Sequence, residues 1–105
     1  MSTETTCASI EEVRANIDRI DHSIVALLAE RSAFVKQVVR FKTTTEDVKA
    51  PERAEQVIAR AKALAEELGA DPSVTEQVFS AMVAAFIDAE LNELAARQSH
   101  VPLKS

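Results

Sequence analysis

The chain has 105 residues, 47% of them hydrophobic and 28% charged. That is the length of one domain and the composition of a folded globule rather than a disordered segment. A formal net charge of -5 argues against a general nucleic-acid or membrane-surface binder. One Gly, three Pro and one Cys leave little turn material and allow no intrachain disulfide. We therefore expect a single all-α domain over 1–105, with few connections, in a reducing cytoplasmic setting.

The opening MSTETTCAS has neither the basic nor the apolar region of a signal peptide, and residues 1–8 read as a loose tail. No apolar run approaches the ~20 residues that span a bilayer. From Ser9 to Lys42 there is no Gly or Pro. Ile10, Val13, Ile17, Ile20, Ile24, Leu27, Leu28, Phe34, Val35, Val38 and Phe41 recur at steps of three and four, which places them on one broad helical face. Ser9 followed by Glu12 reads as a capping box. This predicts a first helix of about 33 residues, roughly 50 Å long.

Thr43 to Ala50 is polar and β-branched and breaks the pattern; Ala50 precedes Pro51 and is expected to be extended. A second helix is predicted from Pro51 to Leu68, with Ala54, Val57, Ile58, Ala61, Leu64, Ala65 and Leu68 on one face. Pro51 suits a first helical turn and Gly69 a C-terminal cap. Asp71-Pro72 starts a third helix, predicted to run to Arg97 through Val74, Val78, Phe79, Met82, Val83, Phe86, Ile87 and Leu94. Residues 99–105 read as a second loose tail.

A compact domain of this size has a radius of gyration near ~13 Å, so a first helix of roughly 50 Å overhangs it. An apolar stripe along the whole rod needs a cover, and the expected cover is a second copy of the chain. The fold expected is therefore three helices with a long first one, in an intertwined homodimer.

Several cations and one acid stand out against this frame. Arg31 and Lys42 are eleven residues apart, almost three turns and ~16 Å along the axis, on nearly the same side. Two long side chains leaning together there can hold a small anion. Arg14 is roughly 25 Å from Arg31 and about 100° around the helix, too far to share a small ligand within one chain. In an antiparallel dimer, Arg14 of one chain reaches the Arg31 region of the other. Arginines flanking an apolar stripe are otherwise solvated or snorkelling. Arg53 opens the second helix, where the helix dipole disfavours a cation; its alternative is an ordinary surface role. Glu90 falls between Phe86 and Leu94 on an apolar stripe, where a carboxylate is paired, held protonated, or at a wet edge. Asp21 reads as a structural partner of Arg14 or Arg19. His22 and His100 have no metal-ligand spacing, and no Cys/His cluster, Gly-rich phosphate loop or Ser-His-Asp order is present. Such a set binds a small polyanion and stabilises charge, with no metal or cofactor.

These residues carry a resemblance. VRANIDRID, LLAER, VVRFK and APER, followed by a late polar residue on the third helix, resemble the small all-α chorismate mutase family of intertwined dimers over nearly the whole chain. Within it they are similar to the branch that includes the salicylate-forming isochorismate-pyruvate lyases. The resemblance implies that Arg14, donated by the partner chain, and Arg31 bind the two carboxylates of a dianionic substrate, chorismate or isochorismate. It implies that Lys42 contacts the ether oxygen region and its neighbouring carboxylate, and that Arg53 lies near the loop covering the site. Glu90 stands where the family has Gln or Glu, whose side chain hydrogen-bonds the breaking ether oxygen. Glu90 donates such a bond only when protonated, which a desolvated setting would have to favour.

The function implied first is chorismate mutase, rearranging chorismate to prephenate in aromatic amino acid biosynthesis. The alternative is an isochorismate-pyruvate lyase giving salicylate and pyruvate. Ala54, where simple mutases often carry an acid after the arginine, points to the lyase branch; Glu90 in place of Gln points to a mutase. A further alternative is a non-catalytic helical dimer that kept the fold, with Arg14, Arg31, Lys42 and Glu90 as ordinary surface residues.

Overall fold

The computed structural model describes residues 6–99. Its order is α1 (Ile10–Val39), α2 (Thr45–Lys49), α3 (Pro51–Leu68) and α4 (Pro72–Ser99). The three predicted helices are all present, with one further short helix in the stretch expected to be loop.

α1 starts as the sequence implies. Ser9 Oγ accepts the Glu12 N–H at 3.1 Å and the Ser9 carbonyl accepts the Val13 N–H at 3.2 Å. Glu12 Oε1 accepts the Ala8 N–H at 2.9 Å, one residue further back than a standard capping box. The helix ends at Val39, not at Lys42. The N–H groups of Arg40, Phe41 and Lys42 donate to the carbonyls of Gln37, Val38 and Val39 at 3.2, 2.9 and 3.0 Å. This is the i to i+3 tightening of a helix end. Lys42 thus stands on a turn rather than on the helix. The cause lies downstream, where Thr44 takes an extended backbone (φ -129°, ψ 163°) to cap α2.

α2 was not legible as a helix, because Thr43–Thr45 reads as a β-branched break. It forms through a capping box: Thr44 Oγ1 accepts the Asp47 N–H at 3.1 Å, and Asp47 Oδ2 accepts the Thr44 N–H at 3.3 Å. Ala50 is not extended. It has φ 30° and ψ 66°, in the left-handed region. Its N–H must close α2 on the Glu46 carbonyl, and its carbonyl must open α3 by accepting the Ala54 N–H, both at 3.1 Å. One residue serving as the last cap of one helix and the first cap of the next has no extended solution, and the left-handed backbone costs a non-glycine residue about 1–2 kcal/mol.

α3 has the predicted bounds. Gly69 follows it at φ 80°, ψ 20°, with its N–H on the Ala65 carbonyl. The Ala70 N–H also donates to Ala65, at 2.8 Å. Asp71 then caps α4, its Oδ1 accepting the Ser73 and Val74 N–H groups at 2.8 and 3.4 Å. α4 continues two residues past the expected Arg97, so Ser99 is helical rather than part of a loose tail; His100 and the rest of that tail lie outside the described residues.

Two compact units divide the chain, the first ending at Phe34 and the second beginning at Val35. In the first, Ile10, Ile17, Ile20, Ile24, Leu27 and Phe34 are all exposed, because one helix cannot cover its own apolar face. In the second, Val39, Val48 and Leu94 form a buried cluster with Ile87 and Leu91 packed against it. α3 and α4 form a helical hairpin in which Ala61, Ala65 and Val83 are also buried. Lys62 Nζ and Glu76 Oε1 pair at 3.5 Å between these two helices. Leu64, Leu68, Val74 and Val78, predicted for inner faces, remain exposed.

Candidate functional site

The centre of the candidate site is an ion pair in the second unit. Lys42 Nζ donates to Glu90 Oε1 at 3.1 Å, with 20% and 12% of the two side chains exposed. Glu90 lies on α4 one turn before the buried Leu94. Its position on the apolar stripe turns it inward, where a carboxylate needs a partner. Lys42 supplies it, held by the turn after α1 and the Val39 carbonyl. Of the settings open to Glu90 in the sequence, the structure has the paired one.

Arg53 is exposed in the first turn of α3, where the N-cap makes no side-chain hydrogen bond. With Ala50, Pro51, Glu52 and Gln56 it lines an open, solvent-facing hollow. Arg14 and Arg31 belong to the first unit, on α1, the former exposed and the latter half-buried. They are about 25 Å apart along the helix, so within one chain they do not share a small ligand. Of the five predicted site residues, the structure thus brings Lys42 and Glu90 together directly. Arg19, expected beside Asp21, donates to Asn16 Oδ1 at 3.5 Å, and among the described residues Asp21 forms no ion pair.

The sequence reading passed over the residues that bind the backbone just after Lys42. Asp47 Oδ2 accepts from the Thr43 N–H at 3.1 Å, the Thr43 hydroxyl at 3.2 Å and the Thr44 N–H at 3.3 Å. These bonds, those of the Thr43 backbone first, hold the Asp47 carboxyl below its ordinary range. Gln98 Nε2 donates to the Thr43 carbonyl at 3.4 Å. The signal was available: Thr44-x-x-Asp47 has the spacing of a capping box.

Chemically, this arrangement offers a lysine ammonium beside a carboxyl, both side chains largely buried. It can hold carboxylates and stabilise a developing oxyanion. Among the described residues no group of three or more His, Cys, Asp or Glu is placed to hold a metal ion.

Residues 13–91 match the model of the family described as chorismate mutase type II. Over 83 residues the chain is 35% identical to an isochorismate pyruvate lyase of Pseudomonas aeruginosa, covering 79% of this chain and 82% of the relative. Over 75 residues it is 29% identical to a chorismate mutase of Methanocaldococcus jannaschii, covering 70% and 76%. Arg14, Arg31, Lys42, Arg53 and Glu90 all fall within the matched segment.

Proposed function

This chain belongs to the chorismate mutase type II family, and from that premise we propose that it is a chorismate mutase, converting chorismate to prephenate. The observation that carries the reading is the Lys42–Glu90 pair at 3.1 Å, inside the family-matched segment. The reaction is an intramolecular rearrangement. The ether C–O bond breaks as a C–C bond forms, and no atom enters or leaves. It needs no nucleophile, and catalysis consists of holding a flexible dianion in its reactive shape and stabilising charge on the ether oxygen.

In this reading Arg31 and the partner's Arg14 bind the two carboxylates, and Lys42 places a fixed positive charge by the ether oxygen and the adjacent carboxylate. Glu90, once protonated, gives that oxygen a hydrogen bond. Arg53 stands by the covering loop. The exposed apolar face of α1 from Ile10 to Phe34 supports the intertwined homodimer, since such a face marks an interaction surface and a two-fold pairing would bring Arg14 to the other chain's Arg31. The chain then works as one all-α domain in a paired state. Its lone Cys7 fits a reducing cytoplasm, and among the described residues no helix is long and apolar enough to cross a membrane.

A second reading has support of its own. The 35% identity to a lyase and Ala54 after Arg53 favour isochorismate pyruvate lyase activity, giving salicylate and pyruvate. The test is product analysis after giving the purified protein chorismate and isochorismate separately. Prephenate from chorismate, with little salicylate from isochorismate, supports the mutase. Dominant salicylate and pyruvate replaces it with the lyase. Neither product would leave a non-catalytic helical dimer.

A further inference from the structure

Lys42 is the third residue after the end of α1 and the last before a clasp. Its own N–H is held by the Val39 carbonyl at 3.0 Å. The next residue, Thr43, is fixed at three points: its N–H and hydroxyl donate to Asp47 Oδ2 at 3.1 and 3.2 Å, and its carbonyl accepts from Gln98 at 3.4 Å. The same Asp47 oxygen takes the Thr44 N–H, and Thr44 Oγ1 takes the Asp47 N–H. The five residues of α2 are too few to be stable as an isolated helix, and the left-handed Ala50 at its end adds strain. What holds α2 is the clasp on one side and Val48, 2% exposed against Val39 and Leu94, on the other. Val48 plugs α2 onto α4, the helix that carries Glu90.

We propose that Asp47 is a positioning residue for Lys42: by gathering the Thr43 and Thr44 donors on one carboxylate oxygen, it fixes the backbone from which the Lys42 ammonium reaches Glu90 and the substrate. This rests on the reading of Lys42 as the cation that faces the substrate. Asp47 itself is exposed and touches neither Lys42 Nζ nor Glu90 in any recorded bond, so its effect passes through Thr43. A loosened Thr43 leaves the Lys42 charge in place but lets its position drift, and displacement by about 1 Å costs up to 100-fold in an oriented site.

The test compares Asp47→Ala and Asp47→Asn with the parent. Three readouts are taken: kcat/KM on the accepted substrate, the melting temperature, and amide hydrogen exchange of the ligand-free protein. Asparagine keeps an acceptor oxygen at the same place and alanine does not. The expected result is a fall in kcat/KM of about tenfold or more for Asp47→Ala, recovery to within about threefold for Asp47→Asn, and melting within a few degrees of the parent for both. Exchange protection at Thr43 and Thr44 should vanish in Asp47→Ala while α3 and α4 keep theirs. Unchanged protection at those amides overturns the clasp. Lost protection with kcat/KM within about twofold of the parent overturns the positioning role. Equal losses in both variants that follow the melting temperature make Asp47 merely structural. A parent inactive on both chorismate and isochorismate overturns the functional reading and the positioning role with it, while the exchange data still report on the clasp.

Discussion

Lys42 and Glu90, separated by 48 residues of chain, meet at 3.1 Å at the edge of the Val39–Val48–Leu94 cluster. The pair gives the carboxylate a role that depends on its protonation. Ionised, Glu90 accepts from Lys42; protonated, it has a hydrogen to give to a substrate oxygen. Glutamine has that hydrogen at every pH. Glu90→Gln should therefore retain mutase activity at neutral pH, since the amide can donate to the ether oxygen while Lys42 still faces it. The kcat/KM on chorismate tests this, and a loss of about 100-fold or more would mean that the negative charge of Glu90, not a hydrogen it donates, serves the reaction.

The bonds around Asp47 favour its charged form. Bonds from the Thr43 backbone, the Thr43 hydroxyl and the Thr44 backbone lower its carboxyl from the ordinary aspartate value. A carboxyl depressed in the folded state contributes stability that is fully present above its unfolded value and is lost as pH falls through the folded one. The clasp should thus be intact throughout the neutral and mildly acidic range and open only below the ordinary aspartate range. Carboxyl NMR titration should place the Asp47 midpoint below that of an unfolded peptide, with the Thr43 amide shift moving in step. A midpoint at or above the peptide value would contradict the bonding seen.

Much of the fold was legible because its punctuation is chemical. Ser9, Pro51, Gly69, Asp71 and Pro72 mark helix ends through capping and φ restrictions, and all of them serve as expected. The α2 stretch was not, because its helix depends on tertiary support: Val48 is buried only once α4 is beside it, and periodicity cannot be read from five residues. The same competition stopped α1 at Val39. Ala50 went wrong for a related reason, since the rule for a residue before proline assumes it serves one element, and here it serves two. In the site, Glu90 announced itself as an acid on an apolar stripe. Its pairing with Lys42 could not be chosen over protonation or a wet edge until both side chains were placed.

Val48→Ala tests the plug under the site. Val48 is 2% exposed, and losing two buried methyl groups with a residual cavity costs about 1.5–3 kcal/mol. Urea unfolding should show that loss at an unchanged slope. The kcat/KM should fall as well, because α2 then sits loosely on the helix that carries Glu90. A stability loss with full activity would separate the plug from the site.

Gly69→Ala isolates a backbone effect. Gly69 has φ +80°, and a Cβ there meets nothing within 4 Å. The substitution therefore adds no clash and costs only the left-handed penalty, about 1–2 kcal/mol. The melting temperature should drop by about 4–16 °C with kcat/KM unchanged. A drop larger than about 20 °C would mean that the turn between α3 and α4 meets something the single chain does not contain.

The shared site makes a quantitative demand. If Arg31 and the partner's Arg14 complete each site, Arg14→Ala and Arg31→Ala chains are each nearly inactive as homodimers, by about 100-fold or more for a lost charge contact, while helicity persists. A dimer of one chain of each kind has one site lacking both arginines and one lacking neither. With free exchange, half of the dimers are mixed and each carries one good site of two, so about one quarter of parental activity returns. Mixing the two proteins after denaturation and refolding, with mass spectrometry confirming the mixed dimer, measures this directly. Mixed dimers without recovered activity would confine each site to one chain. Recovery would also explain why Arg14 and Arg31 stand about 25 Å apart on one helix and yet belong to one chemistry.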